Sequence, residues 1–442
     1  MNILLCGASM GLGGAETHIL SLAEALAERG HRVTVAAERG ELCDELRRRR
    51  IRFIRIPLSS SDIRSASKSY KILKKVLLMW DFDVVHSHSR LSALMVSVIR
   101  QRERLGFRFV VTAHSMYKTS RALRYFSVWG DRCIAVSGDI KKHLVINYGV
   151  SGKRITVIPN GIDTDVFHPI HKGEKHSILF VSRLDADCSR GARILCGIAP
   201  RLARKFPRLK ITIAGGGDDY FNVLRLAKKA NNAIGREGVA LVGKCSDMPD
   251  LIGKHSLVVG VSRVALEAMA MEKPVVLFGN EGALGLFSDK RLDLAVDTNF
   301  TCRGFGGDTG GDFLLGEIEK AFTMDRRSMD KLCRLERRVV CEKYSIDNAA
   351  NKTLEIYGAG RIKPIRILIG GYYGFGNLGD ESVLCVMARE LRRALPGCRI
   401  TALTNKGEAV KGATGVRFVN RSDPMSVMRA MRYSDVYISG GY

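Results

Sequence analysis

Short apolar segments and amphipathic stretches alternate along this chain, and that alternation limits the folds open to it. "NILLCGA", "RVTVAA", "RFIRIPL", "DVVHSHS", "FVVTAHS", "RCIAVS" and "ITVIPNG" are brief apolar runs that mostly end in small or polar residues, with stretches such as "AETHILSLAEALAERG" between several of them. Strands separated by helices return to the sheet in the same direction, so the alternation means a parallel, doubly wound sheet over 1–168. After the turn-rich "IPNGIDTDVFHPIHKGEK" the pattern restarts with "SILFVSRL", "LKITIAGGG", "VALVG", "HSLVVGV" and "PVVLFG", giving a second such domain over 172–345. Two of these domains facing each other bring the loops at both sets of strand ends around one cleft.

A helical stretch over about 313–357 follows, with 346–358 read as a closing helix and 359–365, within "GAGRIKPIR", as a linker. At 366 the chain begins again. "RILIGGYYGFGNLGDESVL" repeats the strand, glycine-rich turn and helix of "NILLCGASMGLGGAETHIL" at 2–20, and "RITALT" and "DVYISGGY" extend it into a partial third α/β domain over 366–442. Alone, so short a segment is expected to bury only a small core.

Composition narrows the function classes. The 442 residues are 46% hydrophobic and 26% charged, an ordinary globular balance. No apolar run reaches the roughly 18 residues of a spanning helix, and the N-terminus enters a strand directly, so a cytoplasmic protein is expected. The 11 cysteines form no C-x-x-C pair, which argues against a disulfide framework or a structural zinc site; most are expected to be buried apolar residues. A net charge of +25 points to anionic partners: phosphorylated substrates or an acidic lipid surface. Nucleic acid is not expected, because no RNA-binding or zinc-finger signature and no aromatic-rich basic stripe is present.

The first loop, "GASMGLGGAETH", sets Gly13 and Gly14 at a helix N-terminus, where free N–H groups and the helix dipole favour an anion. It is not a dinucleotide fingerprint, since Glu16 stands where the third glycine belongs, although Glu38 could mimic a ribose-binding acid. A plain strand-to-helix turn fits the glycines equally well.

"GGAETHILSLAEALAERGHRVTV", "DVVHSHS", "VVTAHS", "AVSGDIKKHL", "ITVIPNGIDTDVFHP", "ILFVSRLD", "LKITIAGGGD" and "ALEAMAMEKPVV" occur in order and at about the spacing of glycosyltransferase family 4. Over 1–357 the chain resembles these retaining enzymes of the GT-B fold. The resemblance implies a nucleotide-sugar donor, UDP- or GDP-linked, a saccharide or lipid-linked acceptor, no required metal or other cofactor, and work in cell-surface polysaccharide synthesis at the inner face of the plasma membrane. By the same resemblance Arg183 contacts the diphosphate, Glu267 grips the ribose hydroxyls and His114 stands near the donor sugar. Gly13, Gly14, Arg190, Gly215 and Arg263 complete the donor-binding set. The plainer readings are an Arg183–Asp185 surface pair, Glu267 on an ordinary helix surface and His114 as a structural histidine. His86 and His88 form an H-x-H, but no third ligand cluster accompanies them.

Two positions depart from the family pattern. Val259 stands eight residues before Glu267, where a first glutamate is usual, and Cys188 falls where a lysine is usual, with Arg190 as a shifted substitute. A catalytically inactive scaffold that binds a sugar nucleotide or a glycan is therefore an alternative reading. The segment 366–442 resembles the N-terminal part of polysaccharide pyruvyl transferases of the CsaB type, which use phosphoenolpyruvate. This implies a second alternative, a pyruvyl transferase fused to a glycan-binding region, although the family's sequence past "SGGG" is missing and pyruvyl transfer by this chain is not expected.

Overall fold

The computed structural model describes residues 1–59, 62–171, 173–245, 247–306, 310–358, 365–395 and 398–440. Of the linker, 359–364 lies outside the described residues, as do the last two positions of "DVYISGGY". By its contacts the chain divides into two units: Met1–Ser69 with Val84–Tyr357, and Tyr70–Asp83 with Gly358–Tyr442.

The first unit holds two sheets. One contains β1 (Asn2–Ser9), β2 (Arg32–Glu38), β3 (Arg52–Arg55), β4 (Val84–Ser87), β5 (Arg108–Ala113), β6 (Arg132–Ala135) and β7 (Ile155–Val157) in the order β3-β2-β1-β4-β5-β6-β7, all parallel. Helices cover both faces, so its central strands are unbroken apolar runs: Ile3 to Cys6 are fully buried. The helix Gly14–Glu28 lays Ile19, Leu22, Ala23 and Leu26 onto this core. The other sheet contains β8 (Glu174–Val181), β9 (Lys210–Ala214), β10 (Val239–Gly243), β11 (His255–Gly260), β12 (Val275–Gly279) and β13 (Gly282–Leu286) in the order β10-β9-β8-β11-β12-β13. β13 runs antiparallel to β12. Neither the glycine-rich "GALGL" of β13 nor the short "RFVN" of the third sheet carries a periodic signal, so both strands add to those expected from the sequence.

Two chain segments cross between these domains and pair with each other. Ile162 donates to the Tyr344 carbonyl at 2.7 Å, and its own carbonyl accepts from Ile346 at 2.8 Å. The helix Ile346–Tyr357 then returns to the first domain, burying Ile346, Ala349, Ala350 and Tyr357 in that domain's core.

The second unit carries β14 (Arg366–Tyr373), β15 (Arg399–Thr404), β16 (Arg417–Asn420) and β17 (Val436–Ser439) in the order β16-β15-β14-β17, all parallel, around a small core that includes Ile367, Ile369, Leu384 and Ile400. The sequence reading expected most cysteines to be buried. Five are, and six are half-buried; all eleven are free thiols. Among the described residues no helix is long and apolar enough to cross a membrane.

Candidate functional site

The carboxyl ends of the first sheet gather a cluster of histidines. His86 and His88 leave β4, His114 follows β5, and His18 lies in the second turn of the helix Gly14–Glu28. The His88 and His114 rings are stacked with centroids 5.2 Å apart, their Nδ1 and Nε2 atoms joined at 2.9 Å, and His18 approaches His114 at 5.7 Å. His86 spends both ring nitrogens, on the Tyr357 hydroxyl at 2.6 Å and on Thr112 at 2.7 Å. Burial pushes the His86 imidazole down to about 3 and that of His114 down to about 4, with the nearby Asn160 acting the other way on His114. His18 and His88 are lowered well below the ordinary value, first by burial and then by neighbouring rings, with Arg263 adding to the effect on His18. The rings are thus neutral at pH 7. His88 Nε2, His114 Nδ1 and Asn160 Oδ1 are buried without a hydrogen-bond partner, so each keeps unspent bonding capacity.

Gly13 caps the helix Gly14–Glu28 in extended conformation, and Gly14 opens it. A Cβ at Gly14 would meet nothing within 4 Å, so no packing demand explains that glycine. A Cβ at Gly13 would overlap the Glu16 carboxylate, which folds back over this turn. Glu38, the candidate ribose acid of a dehydrogenase, is instead taken up by the Arg55 guanidinium at 2.9 Å and the Arg39 N–H at 2.9 Å.

The crossing segment 158–162 links the histidines to the second domain. The Gly161 N–H donates to His18 Nδ1 at 3.3 Å, and its carbonyl accepts from the Arg263 guanidinium at 3.2 Å. Arg263 in turn pairs with Glu267, one turn along the helix Arg263–Ala270, at 2.7 Å. Glu267 is not on the helix surface: it is only 4% exposed. Burial pushes its carboxyl up from the ordinary value, and Arg263 opposes the shift. Ser262, the cap of this helix, has φ +58° and ψ −130°, a conformation that L-residues rarely adopt. Its N–H is fixed by the Phe300 carbonyl at 2.7 Å. Val259, where the family's first glutamate is usual, is fully buried within β11, paired with Phe180 and Val276.

Arg183 lies just past the end of β8, next to β11 in the sheet. Its side chain is 69% exposed and reaches Asp185 at 3.2 Å and the Cys188 sulfur at 3.4 Å. The loop carrying it is laced to the glycine loop after β9: Leu184 donates to the Gly216 carbonyl at 3.0 Å, and Asp219 donates to the Leu184 carbonyl at 2.8 Å. Gly215 makes this possible, because at φ +144° a Cβ there would overlap the Ser182 carbonyl oxygen. Packing thus places its own demand on Gly215, a residue also expected in the donor-binding set. Arg190 opens the helix Arg190–Lys205 and is exposed.

The structure thus joins Arg263 and Glu267 to His18, through Gly161, and His18 to His114, all within the first unit. Arg183 and Gly215 share the same sheet end as the Arg263–Glu267 pair, and no direct bond connects them to it. His18 and Asn160 carry no motif in the sequence, and His88 stands out there only as half of the H-x-H with His86. His18 sits one turn after the glycine pair and could have been found by that spacing, whereas the His88–His114 bond joins residues 26 apart in sequence. Among the described residues no group of three or more His, Cys, Asp or Glu is placed to hold a metal ion.

Residues 12–166 match the model of Glycosyltransferase Family 4, and residues 175–299 match that of Glycosyl transferases group 1. The chain is 26% identical over 227 residues to a subunit of human phosphatidylinositol N-acetylglucosaminyltransferase, covering 47% of this chain and 46% of that protein. It is 30% identical over 224 residues to the phosphatidyl-myo-inositol mannosyltransferase of Mycolicibacterium smegmatis, covering 47% and 56%. The chain thus spans about half the length of the curated relatives it matches. Solved structures share the fold. A glycosyltransferase from Rickettsia africae superposes with a TM-score of 0.64 at 19% identity, over 81% of this chain and 98% of that one. Anabaena HepE in complex with UDP-glucose superposes with a TM-score of 0.63 at 16% identity, over 81% and 100%. Two glycosyltransferase models thus match end to end over the two Rossmann-like domains, whose architecture is the GT-B fold shared with solved glycosyltransferases.

Proposed function

We propose that residues 1–357 transfer a hexosyl group, with retention, from a UDP- or GDP-sugar to a saccharide or lipid-linked acceptor during cell-surface polysaccharide assembly. The observation that carries this reading is Glu267, a buried carboxylate oriented by Arg263 at the carboxyl end of a parallel sheet. An acceptor-only group there suits the paired hydroxyls of a ribose. Arg183, exposed at the end of the neighbouring strand, is free to swing from Asp185 onto a diphosphate whose negative charge grows as the sugar leaves. Gly14 gives the facing helix N-terminus an unobstructed approach to the same charge. Neutral His114, with Nδ1 unspent, suits a hydrogen bond to a sugar hydroxyl. HepE, which has this fold, was solved with UDP-glucose, and the two curated relatives carry N-acetylglucosaminyl- and mannosyltransferase names.

A panel of UDP- and GDP-sugars screened by thermal unfolding tests the reading, because a ligand that binds only the folded state raises apparent stability. At least one should stabilise the protein, and Glu267→Gln should remove that gain. If none does, the inactive scaffold in its glycan-binding form, motivated by Val259 and Cys188, takes its place. For residues 366–440 the resemblance to pyruvyl transferases is a proposal about that unit alone. It is supported by a parallel sheet with a glycine-rich turn between β14 and the helix Leu378–Ala394, capped by Asn377.

A further inference from the structure

The short helix Arg121–Phe126 has no buried residue, although Leu123, Tyr125 and Phe126 belong to it. Six residues are too few for a helix to persist by its own hydrogen bonds. It is held at its ends: the Ser120 hydroxyl accepts from the Leu123 N–H at 3.2 Å, and the Ser127 hydroxyl donates to the Leu123 carbonyl at 2.6 Å. The residues leading into it are anchored as well. Tyr117 lies under the Arg90 guanidinium and against Trp129, and the Tyr148 hydroxyl donates to the Lys118 carbonyl at 2.9 Å. The protein therefore spends fixed contacts on presenting a turn whose Tyr125 is 84% and Phe126 58% exposed.

Tyr148 also ties this turn to the helix Gly138–Tyr148, where Ile146 is 75% exposed. Between Ser115 and Gly130 the sequence holds Lys118, Arg121 and Arg124 and no acid, and Asp131, which follows, is taken up by Arg100 at 2.8 Å. All three cations are exposed, and among the described residues none of them has an ion-pair partner. Aromatic rings beside unneutralised cations complement a surface that is apolar beneath and anionic above. A protein partner would meet the same rings, but the acids next in sequence, Asp131 and Asp139, are already held by Arg100 and Arg303 and offer it no free counter-charge.

We infer that the surface formed by Lys118, Arg121, Arg124, Tyr125, Phe126 and Ile146 docks on an anionic lipid bilayer, with Tyr125 and Phe126 entering the interfacial layer. The inference rests on the proposed lipid-linked acceptor, for the turn begins directly after His114 and so brings the candidate site to the membrane plane.

Sedimentation of the purified full chain with phosphatidylcholine vesicles, with and without about one third phosphatidylglycerol, tests it. Binding should require phosphatidylglycerol and weaken with salt. Tyr125→Ser with Phe126→Ser should lower partitioning by about tenfold or more, and Arg121→Glu with Arg124→Glu should do the same. Thermal stabilisation by nucleotide sugars, measured without lipid, should be unchanged in both variants, which separates failure of docking from failure of the enzymatic reading. Equal vesicle binding by wild type and both variants overturns the inference, as does absence of binding to anionic vesicles. Self-association in wild type that the same substitutions abolish, seen by analytical ultracentrifugation, also overturns it by making the patch a contact between copies.

Discussion

Arg263 pairs with Glu267 at 2.7 Å while donating to the Gly161 carbonyl at 3.2 Å. One guanidinium thereby fixes the second domain's buried acid and the segment that leaves the first. Its two duties make it sensitive to change.

Arg263→Met removes the counter-charge of a carboxylate that has little access to water. The loss should be about 3–5 kcal/mol at neutral pH. Because burial already raises the Glu267 pKa, the unpaired carboxyl can escape by taking up a proton, so the deficit should shrink as pH falls. Urea unfolding at two pH values measures this, and adding Glu267→Leu to Arg263→Met should restore most of the stability.

The histidine cluster sets an acid limit. An unfolded chain titrates these rings near 6.5, whereas in the folded protein His86 and His114 are held down to about 3 and about 4. Between those values the unfolded state binds more protons, so stability is full above about pH 6.5 and is lost as pH falls toward 4. Each fully shifted ring costs about 1.4 kcal/mol per pH unit across that window. Chemical denaturation from pH 7.5 to 4.5 should show the slope, and replacing His88 with Gln should make it shallower.

Two glycines should behave in opposite ways. Gly215→Ala drives a methyl group into the Ser182 carbonyl at a positive φ and should destabilise by more than about 1 kcal/mol. Gly14→Ala meets open space in a helical conformation and should leave the melting temperature unchanged or raised. If a diphosphate approaches this turn, Gly14→Ala should still weaken nucleotide-sugar binding, as isothermal titration would detect.

Arg183→Ala breaks an exposed ion pair with Asp185, which alters stability by less than about 1 kcal/mol. Donor affinity should nevertheless fall by about tenfold or more, the worth of a charge-assisted contact to phosphate. An unchanged affinity would leave Arg183 as a surface residue only.

Much of the fold was legible because parallel strands buried on both faces, such as "ILLC" and "LVVG", are uninterrupted apolar runs of strand length. β13 is largely buried, but its two glycines break the apolar run, and β16 is an edge strand exposed or half-buried along its length, so neither is marked in the sequence. Within the site, Arg183, Glu267 and His114 could be named because each belongs to a contiguous motif. The Arg263–Gly161 contact could not, since it joins residues 102 apart through a backbone carbonyl that has no side-chain signature. Glycine at a strand end serves ligand approach and tight loop packing alike, and at Gly215 the coordinates add the packing demand that the sequence does not reveal. The Tyr125 surface was hidden for a different reason: aromatic residues in a sequence are normally assigned to the core.

Tyr357 completes the interior of a domain that began at Met1, giving its hydroxyl to His86 across 271 positions of chain. During synthesis the amino-terminal half therefore leaves the ribosome with an unfilled groove that waits for the whole second half to be made. A nascent chain stalled short of Ile346 should be open to protease in its first domain, and a separately supplied peptide spanning 346–357 should close it.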